Sequence, residues 1–241
     1  MKITGLILAL ILPFTAHAFW GGGGSKTDTS ELLAQLFGKN DAFTATAVMM
    51  VKNRRGKETQ AGEMQYAFLA GKMRIEIDMT KVKGAGKGSD QMAEMGLGKM
   101  VTLHRPDKDA TYIIYPGMTA YCEAPKTVAT KSTDASPKIE RTELGKETIA
   151  GHPCVKSKVV ITDAAGKVTE MLVWTATDLK DFPLQSAVET SDGTVTTTFQ
   201  DVKLAKPAAA LFELPADYTK YANVQEMMMQ SMQKMMNSMG R

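Results

Sequence analysis

The sequence predicts a mainly β protein, a strongly curved antiparallel sheet closed by a few short helices. Three observations carry that class. Residues 72–79 read Lys-Met-Arg-Ile-Glu-Ile-Asp-Met, with Met73, Ile75, Ile77 and Met79 on one face and Lys72, Arg74, Glu76 and Asp78 on the other. A period of two with one wet face marks an antiparallel strand. About eight to eleven short segments of this kind recur between turn residues, without the strand–helix rhythm of a doubly wound parallel sheet. The stretch from Leu144 to Pro183 reads as hairpins around one cysteine and one tryptophan, and a hairpin needs a larger sheet to be stable.

In chain order, Met1-Lys2, the apolar run Ile3–Phe14 and Ala16-His17-Ala18 predict a secretory signal peptide over residues 1–18. The run is short and contains Pro13, so no transmembrane span is expected in the mature chain. No cysteine stands at the cut, so a lipid anchor is not expected. Residues 19–30, with Gly21–Ser25, form a flexible linker. Asp28-Thr29-Ser30 caps a short helix over 31–37, stopped by Gly38.

One sheet domain is expected over 31–221. Its strands are 43–51, Glu63–Phe68 and 72–79, turned at Asn53–Gly56 and Ala70-Gly71. A glycine-punctuated segment follows, with a short helix at 89–95. Strands at 100–104 and 111–115 flank the turn Pro106–Asp109, and Pro116-Gly117 precedes a strand at 119–123. A polar loop, 124–138, leads to a strand at 139–149. A hairpin, 155–161 and 168–175, turns at Asp163–Gly166. Strands 184–190 and 195–204 turn at Ser191-Asp192-Gly193, where Asp-Gly suits positive φ. A helical turn at 207–212, an extended exit at 214–218 and a methionine-rich helix over 222–241 end the chain.

Export makes a disulfide the default for Cys122 and Cys154, closing a loop of about thirty residues and stabilising the fold by roughly 3–4 kcal/mol. Two free buried thiols on neighbouring strands are the alternative, and zinc held with His104 and His152 a remoter one, because H-x-C is not a standard zinc spacing. No other metal and no cofactor is expected. Without its signal peptide the chain drops from +3 to about +2, with scattered lysines and no aromatic-basic stripe, so no nucleic-acid partner is expected. The sequence holds no G-x-S-x-G, H-E-x-x-H or phosphate-cradling loop, and Gly84-x-Gly86-x-Gly88 follows no βα unit. Acidic pairs such as Glu76 and Asp78 sit on a wet face, so an enzyme is not expected.

In the tail Met228, Met232, Met235 and Met239 keep helical spacing, adjoined by Met229 and Met236. Three readings stay open: an amphipathic helix docked on the sheet, an adaptable surface for apolar chains or partner proteins, and thioether binding of Cu(I).

Gly71–Arg74, Tyr112-Ile-Ile-Tyr-Pro116 with Tyr121, Leu144–Cys154 as L-G-K-E-T-I-A-G-H-P-C, Trp174 with Phe182-Pro183, and Phe212-Glu-Leu-Pro215-Ala-Asp-Tyr218 are together distinctive. They resemble an exported bacterial domain family of unknown function, itself similar to the periplasmic lipoprotein carriers LolA and LolB and to the lipoprotein LppX. The resemblance spans residues 43–221. It implies a LolA-like half-barrel of eleven strands, closed by helices, whose apolar concave face holds acyl chains in the carriers.

The expectation is therefore a periplasmic, non-enzymatic protein that binds an apolar ligand such as a lipid or lipoprotein chain. Tyr66, Met73, Ile75 and Ile77 are the candidate lining residues, with an ordinary dry core as the competing account. The other expectation is an envelope module that meets a protein partner through its methionine-rich helix.

Overall fold

Twelve strands join into one sheet in a computed structural model that describes residue 37 and residues 40–84, 93–124, 138–162 and 168–239, with backbone alone at 231–232 and 234–239. The signal peptide, the linker, the loop at 125–137 and the turn at 163–167 lie outside the described residues, as do residues 31–36 and 89–92 of the two short helices.

The strands are β1 (Ala42–Asn53), β2 (Glu58–Leu69), β3 (Lys72–Asp78), β4 (Lys99–Arg105), β5 (Ala110–Tyr115), β6 (Ala120–Glu123), β7 (Lys138–Ile149), β8 (His152–Thr162), β9 (Val168–Ala176), β10 (Phe182–Thr190), β11 (Gly193–Lys203) and β12 (Thr219–Tyr221). Helix α1 (Val224–Met239) follows. The order across the sheet is β12-β6-β5-β4-β3-β2-β1-β11-β10-β9-β8-β7. Ten of the pairings are antiparallel: nine join strands consecutive in the chain and the tenth joins β1 to β11. The last is different. The exit strand β12 pairs parallel with β6, Thr219 opposite Ala120 and Tyr221 opposite Cys122, where the sequence reading stopped at an extended exit.

The sheet is open and curved. Register shifts at Thr44/Thr46, Val51/Lys52, Glu143/Gly145 and Pro183/Gln185 insert extra residues, which bend a strand and raise its twist.

The main core lies against one face of β1–β3, where Phe43, Met49, Met64, Met73, Ile75 and Ile77 are each at most 4% exposed. Strands β4 and β5 are buried on both sides. Val101, Leu103, Tyr112 and Ile114 form a second cluster under Phe212, because residues 204–218 cross the outer face on the way to β12. Arg105, itself buried, ties this strap down. It donates to the carbonyl of Phe212, to Glu213 at 2.9 Å and twice to Asp107 at 2.8 Å. The wet face predicted for β3 is thus partly covered. Arg74 lies beneath the strap, with a nitrogen 3.5 Å from the carbonyl of Leu211 and a bond to Glu76 at 3.0 Å.

The disulfide expectation is corrected: Cys122 and Cys154 are both free thiols and both buried. Nor do they sit on neighbouring strands. Cys122 is on β6 and Cys154 on β8, each one strand in from an edge of the sheet, so a bond between them would not clip adjacent strands. Burial pushes both thiols above their ordinary value.

Candidate ligand-binding face

Period-two alternation places the four predicted lining residues together. Ile75 lies opposite Tyr66, Met73 opposite Phe68, and Ile77 opposite Met64. One strand further, Tyr66, Phe68 and Met64 face Ala45, Phe43 and Ala47, and Ala47 faces Phe199 on β11. The result is a continuous apolar band across β3, β2, β1 and β11, small alanines at its centre and methionine and phenylalanine around them. Alanines leave room for the larger side chains to lean inward, and unbranched methionine fills irregular gaps.

Tyr66 is the polar member of the predicted four. Its ring meets Phe199 edge-on at 5.3 Å, and burial drives its phenol well above the usual tyrosine range. The hydroxyl therefore stays neutral and remains a hydrogen-bond donor at any physiological pH.

The band is covered by the protein's own chain. From the N-terminal side comes Phe37, whose ring lies 4.8 Å from Phe43, 5.7 Å from Phe182, 5.9 Å from Phe68 and 6.0 Å from Phe199. Asn40, buried, holds that segment: its side-chain amide donates to the carbonyls of Phe37 at 2.9 Å and Lys180 at 3.2 Å. At the edge of the sheet the C-terminal helix packs on β6 and β12, and there Met227 is fully buried in the same core cluster. Its helix starts with a reciprocal cap, in which Glu226 N–H donates to Asn223 Oδ1 and Ala222 N–H donates to Glu226 Oε2, both at 2.8 Å.

The sequence reading did not single out Phe37 or Met227. The cap Asn-Val-Gln-Glu at 223–226 was a legible signal for the helix start, and the register it sets turns Met227 inward. Met228, expected on the methionine stripe, is 36% exposed, and its neighbour Met229 is 62% exposed. The side chains of Met232, Met235, Met236 and Met239 lie outside the described residues.

The polar groups around this face have structural partners. Trp174 Nε1 donates to Glu147 at 2.7 Å, and Lys156 donates to the same carboxylate at 2.8 Å while lying 5.1 Å from the indole centroid. Those two donors lower the Glu147 carboxyl, Lys156 contributing most. His152 pairs with Asp178 at 2.8 Å, and the Cys154 thiol donates to the His152 carbonyl at 3.4 Å. A thiol raised by burial is a poor nucleophile at neutral pH, whatever histidine lies near it. His104 Nδ1 shares a hydrogen bond with Thr111 Oγ1 at 3.0 Å, on β5. Among the described residues no three or more histidine, cysteine, aspartate or glutamate side chains group as a metal site, and no helix is long and apolar enough to cross a membrane.

Residues 43–184 match a family model described as a domain of unknown function, DUF4412. No curated protein matches the chain. Several solved structures are similar in outline. Mycobacterium tuberculosis lipoprotein LppX has a TM-score of 0.38 at 10% identity, over 74% of this chain and 96% of that one. A LolA superfamily protein from Nitrosomonas europaea has a TM-score of 0.35 at 9% identity, over 79% and 99%. A chain of the Pseudomonas aeruginosa MucA/MucB complex has a TM-score of 0.41 at 15% identity, over 80% of this chain and 62% of that one, so this chain spans less than two thirds of it.

Proposed function

We propose that this chain, which belongs to the DUF4412 family of domains of unknown function, is an exported, non-enzymatic protein that holds an apolar ligand on the concave face of its sheet. The ligand is a lipid or a lipoprotein acyl chain, and the compartment is the periplasm. One observation supports this most: the apolar band around Tyr66, Met73, Ile75 and Ile77 is roofed partly by Phe37, from a segment outside the sheet. Such terminal segments open at lower free energy than paired strands. An acyl chain entering along the band replaces apolar contacts with apolar contacts, so the exchange is nearly neutral in hydrophobic terms.

Native mass spectrometry of the purified protein, with organic extraction of its lipids, tests this directly. The expected result is co-purifying lipid and displacement of a fluorescent fatty-acyl probe. Protein that carries no lipid and binds no such probe overturns the reading.

A second reading is favoured by the exposed Met228 and Met229 on the first turns of α1. Adaptable methionines on a helix suit a partner's apolar surface, and the partner would be another envelope protein. Met228→Gln/Met229→Gln, which spares the buried Met227, separates the two accounts: loss of partner capture with lipid retention unchanged supports the helix as a docking element.

A further inference from the structure

The apolar face leaves one strongly charged surface unused, at the end of the sheet where β1 turns into β2. The hairpin tip Lys52-Asn53-Arg54-Arg55-Gly56-Lys57 carries four cations within six residues. All four are exposed. None has an ion-pair partner among the described residues. The whole chain carries a formal charge of only +3, so this tip is a local concentration and not an overall bias.

The tip is built, not merely solvated. Asn53 Oδ1 accepts from the backbone N–H of Arg55 at 3.0 Å and of Lys57 at 3.1 Å, which fixes the loop from within. Gly56, at φ +75°, makes the turn that this needs. Arg54 Nε donates to the carbonyl of Ser191 at 2.7 Å, tying the tip to the neighbouring β10–β11 turn. Between the two turns lies an open cleft of about 450 Å³ lined by Asn53, Arg54, Arg55, Ser191 and Asp192. Lys83, joined to Ala61 by backbone bonds of 2.8 and 3.2 Å, adds a further exposed cation beside β2. The opposing charges nearby are Asp192, Glu58 and Glu189, the last in register with Lys52 across Thr194, fewer than the cations they face.

We propose that this hairpin tip is the face by which the protein docks on an anionic lipid surface, its cations meeting the phosphates of several headgroups. The cleft is open and carries the Asp192 carboxylate, which opposes capture of one small anion. A plane of phosphates instead meets all the exposed cations at once, and each is worth about 1 kcal/mol at such a surface. The proposal goes beyond the acyl-binding reading and holds whether or not the concave face carries a lipid.

The test is flotation of the full chain with vesicles of phosphatidylcholine containing about 30 mol% phosphatidylglycerol, against phosphatidylcholine alone. Binding is expected only to the anionic vesicles, and about 0.5 M salt is expected to abolish it. Arg54→Gln/Arg55→Gln is expected to lower partitioning by roughly 30-fold. Arg55→Gln/Lys57→Gln keeps the Arg54–Ser191 bond and is expected to do the same. Lys146→Gln/Lys203→Gln removes equal charge elsewhere and is expected to leave partitioning unchanged. Absence of anionic-vesicle binding, or equal losses in all three variants, overturns the proposal. So does release of the protein by millimolar inorganic phosphate at constant ionic strength, which would mark a soluble-anion site.

Discussion

Arg105 donates a hydrogen bond to the backbone carbonyl of Phe212, 107 residues further along the chain. That bond pins the strap to the back of the sheet, and Phe212 then completes the second apolar cluster over Val101, Leu103, Tyr112 and Ile114. The guanidinium is 4% exposed, so it is a cation in a nearly dry place, made tolerable by two carboxylates and one carbonyl.

Replacing it should therefore cost more than a surface ion pair would. Arg105→Met is expected to destabilise the protein by about 2 kcal/mol, the scale of a hydrogen-bonded buried charge. Urea unfolding at neutral pH measures it, and an unchanged midpoint would show that the strap holds without the clamp.

The same cluster makes the loss pH-dependent. Arg105, by its side-chain bonds, holds the Asp107 and Glu213 carboxyls below their ordinary values of 3.8 and 4.5. With folded values depressed, the unfolded chain binds more protons in acid, so stability rises with pH across that window. The contribution is fully present above the ordinary values and fades as pH falls through the folded ones. The gap between the wild type and Arg105→Met is expected to stay constant from about pH 7 to pH 5.5 and to narrow toward pH 2.5. Urea midpoints across that range check the sign.

Two glycines with the same φ of +146° should respond differently to alanine. A Cβ at Gly193 would meet the carbonyl oxygen of Lys52 at 1.9 Å, whereas one at Gly145 meets nothing within 4 Å. Gly193→Ala combines torsional strain with a backbone collision and is expected to cost about 3 kcal/mol or more, against about 1 kcal/mol for Gly145→Ala. Thermal unfolding of the two variants side by side decides it.

Phe37 covers the apolar band from outside the sheet. Phe37→Ala is expected to lower stability by about 3 kcal/mol if the segment is docked throughout the native state, and by less if it opens readily. In either case the uncovered phenylalanines should raise the fluorescence of an added apolar dye. Unchanged dye binding would mean that other residues seal the band.

The strands were legible wherever burial falls on one face only. Residues 72–79 alternate without a fault because Met73, Ile75 and Ile77 point into the core while Lys72, Arg74 and Glu76 do not. Strand β4 was harder, since Val101 and Leu103 are buried on the outer side as firmly as Met100 is on the inner side. A strand covered on both faces loses the period, and its cover, Phe212, lies far off in sequence. The four lining candidates were found together because hairpin register is local. Phe37 and Met227 were not, because what covers a face or an edge depends on where distant segments come to rest. The parallel pairing of β12 with β6 escaped for the same reason, being a contact across about a hundred residues.

The sheet order also bears on how the molecule assembles itself. Residues 42–123 and 138–203 are two runs in which each strand pairs with the next, and among the described residues the strand pairing between the runs is that of β1 with β11. Closing local loops is fast and closing that one is slow, so two half-sheets should form early and meet late along a single seam. A chain severed between Ala124 and Lys138 keeps every local pairing in one fragment or the other. Such fragments, co-expressed, are expected to reassociate along β1 and β11, through the β12–β6 pairing and under the strap, and a split protein of this kind would report the strength of these contacts together as a dissociation constant.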